Sequence, residues 1–254
     1  MVFDSHAHLD HRRFDPDREE IFLSLQESGV GYVMNIGCDL TSSMKSVRLA
    51  EQYPFVYAAV GSHPDDAANF TEATLTMYRQ LAQNPRVKAI GEIGLDYYYD
   101  DNPPSVQKAC FEKQMALAAE LDLPVIVHDR DAHGDVLDIV RRYPTVRGVF
   151  HCYSGSAEMA REVVKLGWYL GFTGVVTFKN ARRAVEAVQA VPMDRLLAET
   201  DCPYMAPEPH RGKRNDSRLV PLVVETMARL RGVSFEEMTR ITTENAKRLF
   251  RITE

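Results

Sequence analysis

Eight short runs of apolar, mostly β-branched residues recur along the chain, separated by longer segments with more polar residues. The runs are Val2–Phe3, Tyr32–Ile36, Val56–Val60, Val87–Ile93, Pro124–Val127, Gly148–Phe150, Trp168–Phe172 and Leu196–Ala198. Runs that are apolar throughout are typical of parallel strands buried between helices. Eight such units in 254 residues predict an α/β fold, a single (β/α)8 TIM barrel, because such a barrel takes about 250 residues.

The segments between the runs carry apolar residues at helical spacing, as Val106, Cys110 and Phe111 do. The predicted helices are Asp17–Ser28, Thr41–Tyr53, Pro104–Leu121, Ala157–Leu166, Asn180–Val191, Pro221–Leu230 and an extra C-terminal helix, Ser234–Phe250. A doubly wound open sheet is the alternative fold, but no glycine-rich nucleotide turn follows the first run. No linker or change in composition divides the chain, so residues 1–254 are expected to form one domain.

The composition excludes several classes of protein. Thirty basic against 36 acidic side chains give a net charge of −6, which does not suit a protein that coats nucleic acid or an anionic membrane. The amino terminus does not resemble a signal peptide, and no apolar stretch is long enough to span a bilayer. The four cysteines form no CxxC pair. These features predict a cytoplasmic protein, with a monomer as the default for a closed barrel.

Histidines and carboxylates gather where the predicted strands end. They are Asp4, His6, His8, His63, Glu92, Asp96, His128, His151 and Asp201. His6 and His8 are two residues apart, so on a strand both imidazoles point to the same face. Since the carboxyl ends of all barrel strands meet at one rim, these side chains are expected to converge there.

A metal centre is the reading that best explains these residue types. His128 and His151 each close an apolar strand, and Glu92 lies inside one, where a carboxylate costs several kcal/mol unless a cation or good donors meet it. Nitrogen and oxygen ligands without thiolate suit divalent Mg, Mn, Zn, Co or Ni. The expected metal ligands are His6, His8, Glu92, His128, His151 and Asp201.

Six ligands suffice for two ions, with Glu92 as the bridging carboxylate. We expect His6, His8 and Asp201 mainly around one ion and His128 and His151 around the other. Such a centre can activate water near neutral pH and clamp the attacking and leaving oxygens of a displacement.

The sequence resembles the TatD family of metal-dependent hydrolases over essentially its whole length. The matching segments are DSHAHLD at 4–10, GSHP at 61–64, GEIGLDYY at 91–98, FEKQ at 111–114, PVIVHDRDA at 124–132, HCYSG at 151–155, GFTGVVTFK at 171–179 and ETDCPYMAPEPHRGKRN at 199–215. The resemblance implies a divalent-metal hydrolase, often described as a deoxyribonuclease. It also implies the same six metal ligands, and it places His63 near the substrate.

A nuclease needs groups for phosphates and bases beyond the metal ions. Arg211 and Lys213 lie in the loop after the eighth strand, a region that binds phosphate in many barrels, and Arg130 lies at the same rim. Tyr97, Tyr98 and Tyr99 form a run in the loop beside Glu92, and one or two of these rings are candidates to stack on a base. Packing and hydrogen bonding at the barrel edge is the alternative role for this run. With no duplex-binding motif visible, single strands or 3′ and 5′ chain ends are the expected nucleic acid substrate.

The expected catalytic residues are Asp201, Glu92 and His63. Asp201 would accept the proton of the attacking water, and His63 or Arg211 would stabilise the developing charge or the leaving group. Asp4 and Glu199 are candidates to orient ligating histidines.

Two other functions fit the same residues. A metal-dependent amidase, deacylase, lactonase or esterase could use the same centre on a carbonyl substrate, although the basic loop around Arg211 favours a phosphate. A non-catalytic metal-binding partner protein is the second alternative, but it would be expected to lack a ligand. The native metal, and DNA against RNA, are not readable from the sequence.

Overall fold

Eight parallel strands follow one another around a sheet in chain order, which confirms the predicted barrel. A computed structural model describes residues 1–99 and 101–253. The strands are β1 Val2–Ala7, β2 Val30–Ile36, β3 Val56–Val60, β4 Val87–Asp96, β5 Val125–Arg130, β6 Gly148–Phe150, β7 Tyr169–Phe172 and β8 Leu196–Ala198. Strands of this order, each returning through a helix, place all their carboxyl ends on one face.

Helices cover the outside of this sheet. They are α1 Arg18–Ser24, α2 Leu40–Gln52, α3 Glu72–Leu81, α4 Pro104–Leu121, α5 His133–Arg141, α6 Ala157–Lys165, α7 Arg182–Ala190, α8 Val220–Arg231 and α9 Phe235–Phe250. The last of these is the expected extra C-terminal helix. Among the described residues, none of the helices is long and apolar enough to cross a membrane.

Two of these helices are missing from the sequence prediction. In α3 the only buried residue is Tyr78, so an apolar stripe gives little indication of it. Its start is marked instead by a capping box, in which the Thr71 and Thr74 side chains each bond the other's backbone N–H. α5 has only nine residues. Its buried residues occupy a short stretch that comes soon after the polar sequence at the end of β5.

Three strands continue beyond the apolar runs that predicted them. β1 extends from Phe3 to Ala7, β4 from Ile93 to Asp96, and β5 from Val127 to Arg130. Backbone pairing persists there, with Gly94 opposite His128 and Asp96 opposite Arg130. The apolar pattern stops earlier because the interior of the barrel becomes polar at this end.

The barrel closes between β1 and the segment that follows β8. His8 donates its backbone N–H to Cys202 (2.9 Å), and Asp201 donates its backbone N–H to His6 (2.9 Å). The Ser5 hydroxyl reaches the carbonyl of Ala198 at 3.1 Å. These bonds hold Asp201 directly beside the two histidines of β1.

The opposite, amino-terminal end of the barrel is filled with apolar side chains. α9 contributes Leu249 and Phe250 to a buried cluster that includes residues from all eight strands. Phe250 packs on Phe3 with ring centroids 6.0 Å apart, and Asn245 caps the carbonyl of Leu196 at 2.9 Å. A packed amino-terminal end leaves the carboxyl-terminal end as the open face for chemistry.

We predict that Phe250→Ala lowers the free energy of unfolding by about 3–5 kcal/mol, because it empties a fully packed position. Phe235, on the same helix but 37% exposed, is the matched control, and Phe235→Ala should cost less than about 1 kcal/mol. Denaturant unfolding of both variants measures the difference. Equal losses would contradict the assignment of α9 to the core.

Candidate metal centre

The carboxyl ends of β1, β4, β5, β6 and β8 bring the predicted ligands into one cluster. Within it lie four imidazoles and two carboxylates, from His6, His8, Glu92, His128, His151 and Asp201. Glu92 is 3% exposed and His6 is fully buried. The charge of groups buried as deeply as these two has to be balanced internally, because little solvent surrounds them.

One side of the cluster is built around the β1 histidines. Their Nε2 atoms are 3.1 Å apart. Glu92 Oε2 lies 3.4 Å from His6 Nε2 and 3.6 Å from His8 Nε2. Asp201 Oδ1 lies 3.8 Å from His6 Nε2 and 3.5 Å from His8 Nε2. Atoms bound to one ion at 2.0–2.2 Å are about 3–3.5 Å from each other, so these spacings suit a common ion.

The other oxygen of Glu92 faces a second set of imidazoles. Glu92 Oε1 lies 2.7 Å from His151 Nε2 and 2.9 Å from His128 Nδ1. His63 Nε2 lies 3.8 Å from the same oxygen. Glu92 therefore divides the cluster, with one carboxylate oxygen on each side, as a carboxylate shared by two ions would.

The contacts that the His6 and His8 imidazoles make with Nδ1, the nitrogen away from the cluster, are compatible with metal binding through Nε2. His8 Nδ1 lies 3.0 Å from the carbonyl of Ile36, so Nδ1 donates to that oxygen and Nε2 is the nitrogen that faces the cluster. In His6, Nδ1 is buried with no partner among the described residues, which leaves Nε2 as its interacting nitrogen. The nitrogen and oxygen donor set, with the Nε2 atoms of both histidines inside the cluster, fits divalent metal ions.

Asp96 supports His128 from outside the cluster. Its Oδ2 lies 2.9 Å from His128 Nε2, and the other ring nitrogen faces Glu92. Gln107 fixes Asp96 in turn, because its side chain bonds both the backbone N–H (2.9 Å) and the carbonyl (2.8 Å) of Asp96. A carboxylate behind a ligating imidazole sets the orientation of the ring and raises its basicity.

Glu199 has the corresponding position behind His151. Its Oε1 accepts from the backbone N–H of Cys152 (2.5 Å) and lies 3.6 Å from His151 Nδ1. Gly171 makes the space, since a Cβ at that position would come within 2.2 Å of Glu199 Oε2. Asp4 does not reach an imidazole; it accepts from the Thr200 N–H at 2.9 Å and fixes the backbone near the site.

The ionisation of the cluster follows from its burial and mutual contacts. Burial alone would raise the pKa of the Glu92 carboxyl, but the imidazoles of His151 and His6 outweigh it and hold the pKa well below 4.5. Burial lowers the pKa of His128, yet its bonds to Asp96 and Glu92 raise it to about 9. The carboxylates thus favour positive charge on their neighbours, a charge that divalent ions would supply in place of protons.

Asp201 is held in an unusual backbone conformation. Its φ is +55°, in the left-handed region that few residues other than glycine, asparagine and aspartate adopt. The bond from its N–H to the His6 carbonyl stabilises this conformation. Local strain of this kind is frequent at functional sites, where the surrounding structure enforces it.

His63 and Tyr97 have different surroundings. His63 lies after β3, where its Nδ1 accepts from the Asp65 N–H at 3.2 Å and its ring meets that of His128 edge-on, with centroids 4.4 Å apart. Tyr97 is half-buried, and its hydroxyl donates to Asp135 Oδ2 at 2.7 Å. Of the two, only His63 faces the cluster.

The predicted basic residues lie on the rim around the centre and not in it. Arg130 is the last residue of β5, and Arg211 and Lys213 lie in the exposed loop after β8. Within the described part of the chain, none of the three has a carboxylate partner. The Arg211 guanidinium rests on the Phe178 ring, 4.2 Å from its centroid. These cations are free to meet an anion.

Sequence reasoning missed one residue of the site. Cys38 follows β2, and its Sγ lies 3.6 Å from His8 Nδ1 and 3.8 Å from Glu92 Oε2. Burial raises the pKa of this thiol to about 11, so it is neutral. Its position directly after an apolar strand, like that of the histidines, is the feature that could have identified it.

Comparisons with known proteins agree with this geometry. Residues 3–251 match the family described as TatD-related DNases. The metal-dependent hydrolase YabD of Bacillus subtilis, named as uncharacterized, is 47% identical, with 99% of this chain and all of that protein covered. The 3′-5′ ssDNA/RNA exonuclease TatD of Erwinia tasmaniensis is 33% identical, with coverage of 99% and 100%.

Comparison of the fold with a solved structure points to the same family. The crystal structure of YjjV, a TatD homologue from Escherichia coli K12, superposes with a TM-score of 0.94 at 29% identity, over 99% of this chain and 98% of that one. The chain therefore belongs to the TatD family of metal-dependent hydrolases.

Proposed function

We propose that the protein is a metal-dependent nuclease that hydrolyses phosphodiester bonds in single-stranded nucleic acid or at its ends. The observation that carries this proposal is the position of Glu92, with one carboxylate oxygen toward His6 and His8 and the other toward His128 and His151. A relative 33% identical to this chain is named a 3′-5′ ssDNA/RNA exonuclease, which supports the substrate class.

In this proposal the chain holds two divalent ions. His6, His8 and Asp201 would hold one, His128 and His151 would hold the other, and Glu92 would offer an oxygen to each. Such ions, when bound, supply Lewis-acid activation of water and of a phosphate oxygen. Magnesium, manganese, zinc, cobalt and nickel are all compatible with this donor set.

The chain's own groups handle the protons and the substrate charge. Asp201 has its Oδ1 beside the β1 histidines, and although burial raises its pKa, contacts with His8 and His6 lower it below 3.8. It is therefore ionised near neutral pH and can accept the proton of the attacking water. His63, with Nε2 toward Glu92, lies on the side of the second ion and can stabilise the leaving oxygen.

The cations of the rim favour a phosphate over a carbonyl substrate. Arg211 can hold two phosphate oxygens with its planar fork, and Lys213 adds a point charge. An amide or ester substrate would need neither of these two cations. Because the net charge of the chain is −6, we expect local contacts with one or a few nucleotides, not long-range binding of a duplex.

We infer that the protein works in the cytoplasm as a single chain. Its four cysteines, Cys38, Cys110, Cys152 and Cys202, are all free, which suits a reducing compartment.

Removal of the metal tests the function directly. We expect chelator-treated protein to lose hydrolysis of labelled single-stranded DNA and RNA, and one of Mg²⁺, Mn²⁺, Zn²⁺ or Co²⁺ to restore it. Gel analysis with the label at either end gives the polarity. Full activity in chelator, or restored protein that cleaves carboxylic esters or amides but not oligonucleotides, would contradict the proposal.

The bridging role of Glu92 predicts a loss of metal. Glu92→Gln should bind fewer ions per chain than the wild type, because the amide cannot serve as a shared anionic ligand. Glu120→Gln is the matched control, since Glu120 is exposed and paired with Arg79. Metal content after gel filtration, together with calorimetric titration, measures both. Unchanged stoichiometry and affinity in Glu92→Gln would count against the ligand assignment.

The contact between Asp96 and His128 predicts a smaller effect. Asp96→Asn should weaken metal binding about 10- to 100-fold without unfolding the barrel. Asp138→Asn, on the exposed face of α5, should leave the affinity unchanged. Competition with a fluorescent chelator gives both dissociation constants. The same affinity in the two variants would mean that Asp96 has no influence on the centre.

The general-base role predicts a change in kcat. Asp201→Asn should reduce kcat about 10²- to 10⁴-fold. Metal content, measured on the same sample, separates loss of the base from loss of an ion. A fully metal-loaded Asp201→Asn with wild-type kcat would exclude the role.

A further inference from the structure

Two exposed aromatic rings stand next to the metal centre. Tyr98 is 59% exposed and Tyr99 is 47% exposed, and both directly follow β4, the strand that carries Glu92. Their rings meet edge-on, with centroids 4.9 Å apart. Exposed large aromatic side chains on a folded surface are uncommon in such proximity and often mark a binding surface.

Arg130 completes this group at the end of the neighbouring strand. Its guanidinium lies 4.1 Å from the Tyr98 ring centroid and 5.0 Å from that of Tyr99. None of the described carboxylates pairs with this guanidinium. The cation lies over the ring of Tyr98, and 59% of that residue nevertheless remains exposed.

One carboxylate, that of Asp96, holds both the two tyrosines and a histidine of the metal centre. Asp96 Oδ1 accepts from the backbone N–H of Tyr98 (2.9 Å) and of Tyr99 (3.3 Å). Its other oxygen, Oδ2, holds His128 Nε2 at 2.9 Å. The position of the tyrosines relative to His128 is therefore set by one buried side chain.

We propose that Tyr98, Tyr99 and Arg130 form a stacking subsite for the unpaired bases of a nucleic acid substrate. The proposal rests on the nuclease function and names the part of the substrate, the base, that the metal centre does not touch. An aromatic face binds the π-face of any base, and a guanidinium can stack on a base or bond a phosphate. Chemistry of this kind selects nucleic acid without selecting a sequence.

This subsite also accounts for a preference for single strands. The faces of bases inside a duplex are already covered by their neighbours, and exposing them requires unstacking. An unpaired base offers its face at no such cost. Tyr97, the first of the three tyrosines, has its hydroxyl bound to Asp135 and packs against the core, so it has no part in the subsite.

The experiment compares two oligonucleotides of equal length and charge, on the Mn²⁺-loaded protein. One carries bases, and in the other abasic spacers replace them. Tyr98→Leu and Tyr99→Leu should raise KM about 5- to 150-fold on the first and leave KM on the second nearly unchanged. Tyr98→Phe and Tyr99→Phe keep the ring and should behave as wild type. Phe235→Leu, an exposed aromatic residue remote from this rim on α9, is the control.

Each result decides the proposal. An equal rise of KM on both oligonucleotides, or no rise on the base-bearing one, would overturn the subsite while leaving the nuclease function intact. If the wild type cleaves neither oligonucleotide with Mn²⁺, nor with Mg²⁺, Zn²⁺ or Co²⁺ in its place, the nuclease function fails. Fluorescence anisotropy of the labelled base-bearing strand then decides the subsite: weaker binding by the leucine variants supports it, and absent or unaffected binding overturns it.

Discussion

A buried carboxylate that must be neutralised is the constraint on which the active face depends. Glu92 is 3% exposed, and at that depth an unpaired negative charge would cost more than the fold can supply. Three strands answer this charge with imidazoles: β1 supplies His6 and His8 on one side, and β5 and β6 supply His128 and His151 on the other. The arrangement explains why histidines stand where aliphatic residues would otherwise end the strands, and why the donor set is ready for divalent ions.

The second organising residue is Asp96, four positions along the same strand as Glu92. It holds His128 with one oxygen and the backbone of Tyr98 and Tyr99 with the other. Through this one buried side chain, the proposed stacking tyrosines are held at a fixed distance from the His128 side of the candidate metal centre. Fixed relative positions of this kind are what pre-organised catalysis requires.

The fold could be predicted from the sequence because the apolar cores of strands and the apolar faces of helices are local sequence patterns. The bounds of β3, β6, β8 and α4 agree with the predicted ranges. β1, β4 and β5, which carry His6, Glu92 and His128, extend further than their apolar runs, since hydrogen bonding continues after the side chains turn polar. α3 was not predicted because its burial is limited to Tyr78 and its start depends on a capping box.

The sequence by itself determined the barrel, the residue types that converge at its carboxyl-terminal face, and the family, because each follows from periodicity, from residue chemistry at strand ends, or from contiguous motifs. Only the tertiary structure decided which atom faces which. It placed Glu92 between two sets of imidazoles, Cys38 beside His8, and Tyr98 and Tyr99, in place of Tyr97, on the open surface. Those outcomes depend on the register between strands and on contacts such as Tyr97 with Asp135, which join residues distant in the chain and leave no local pattern in it.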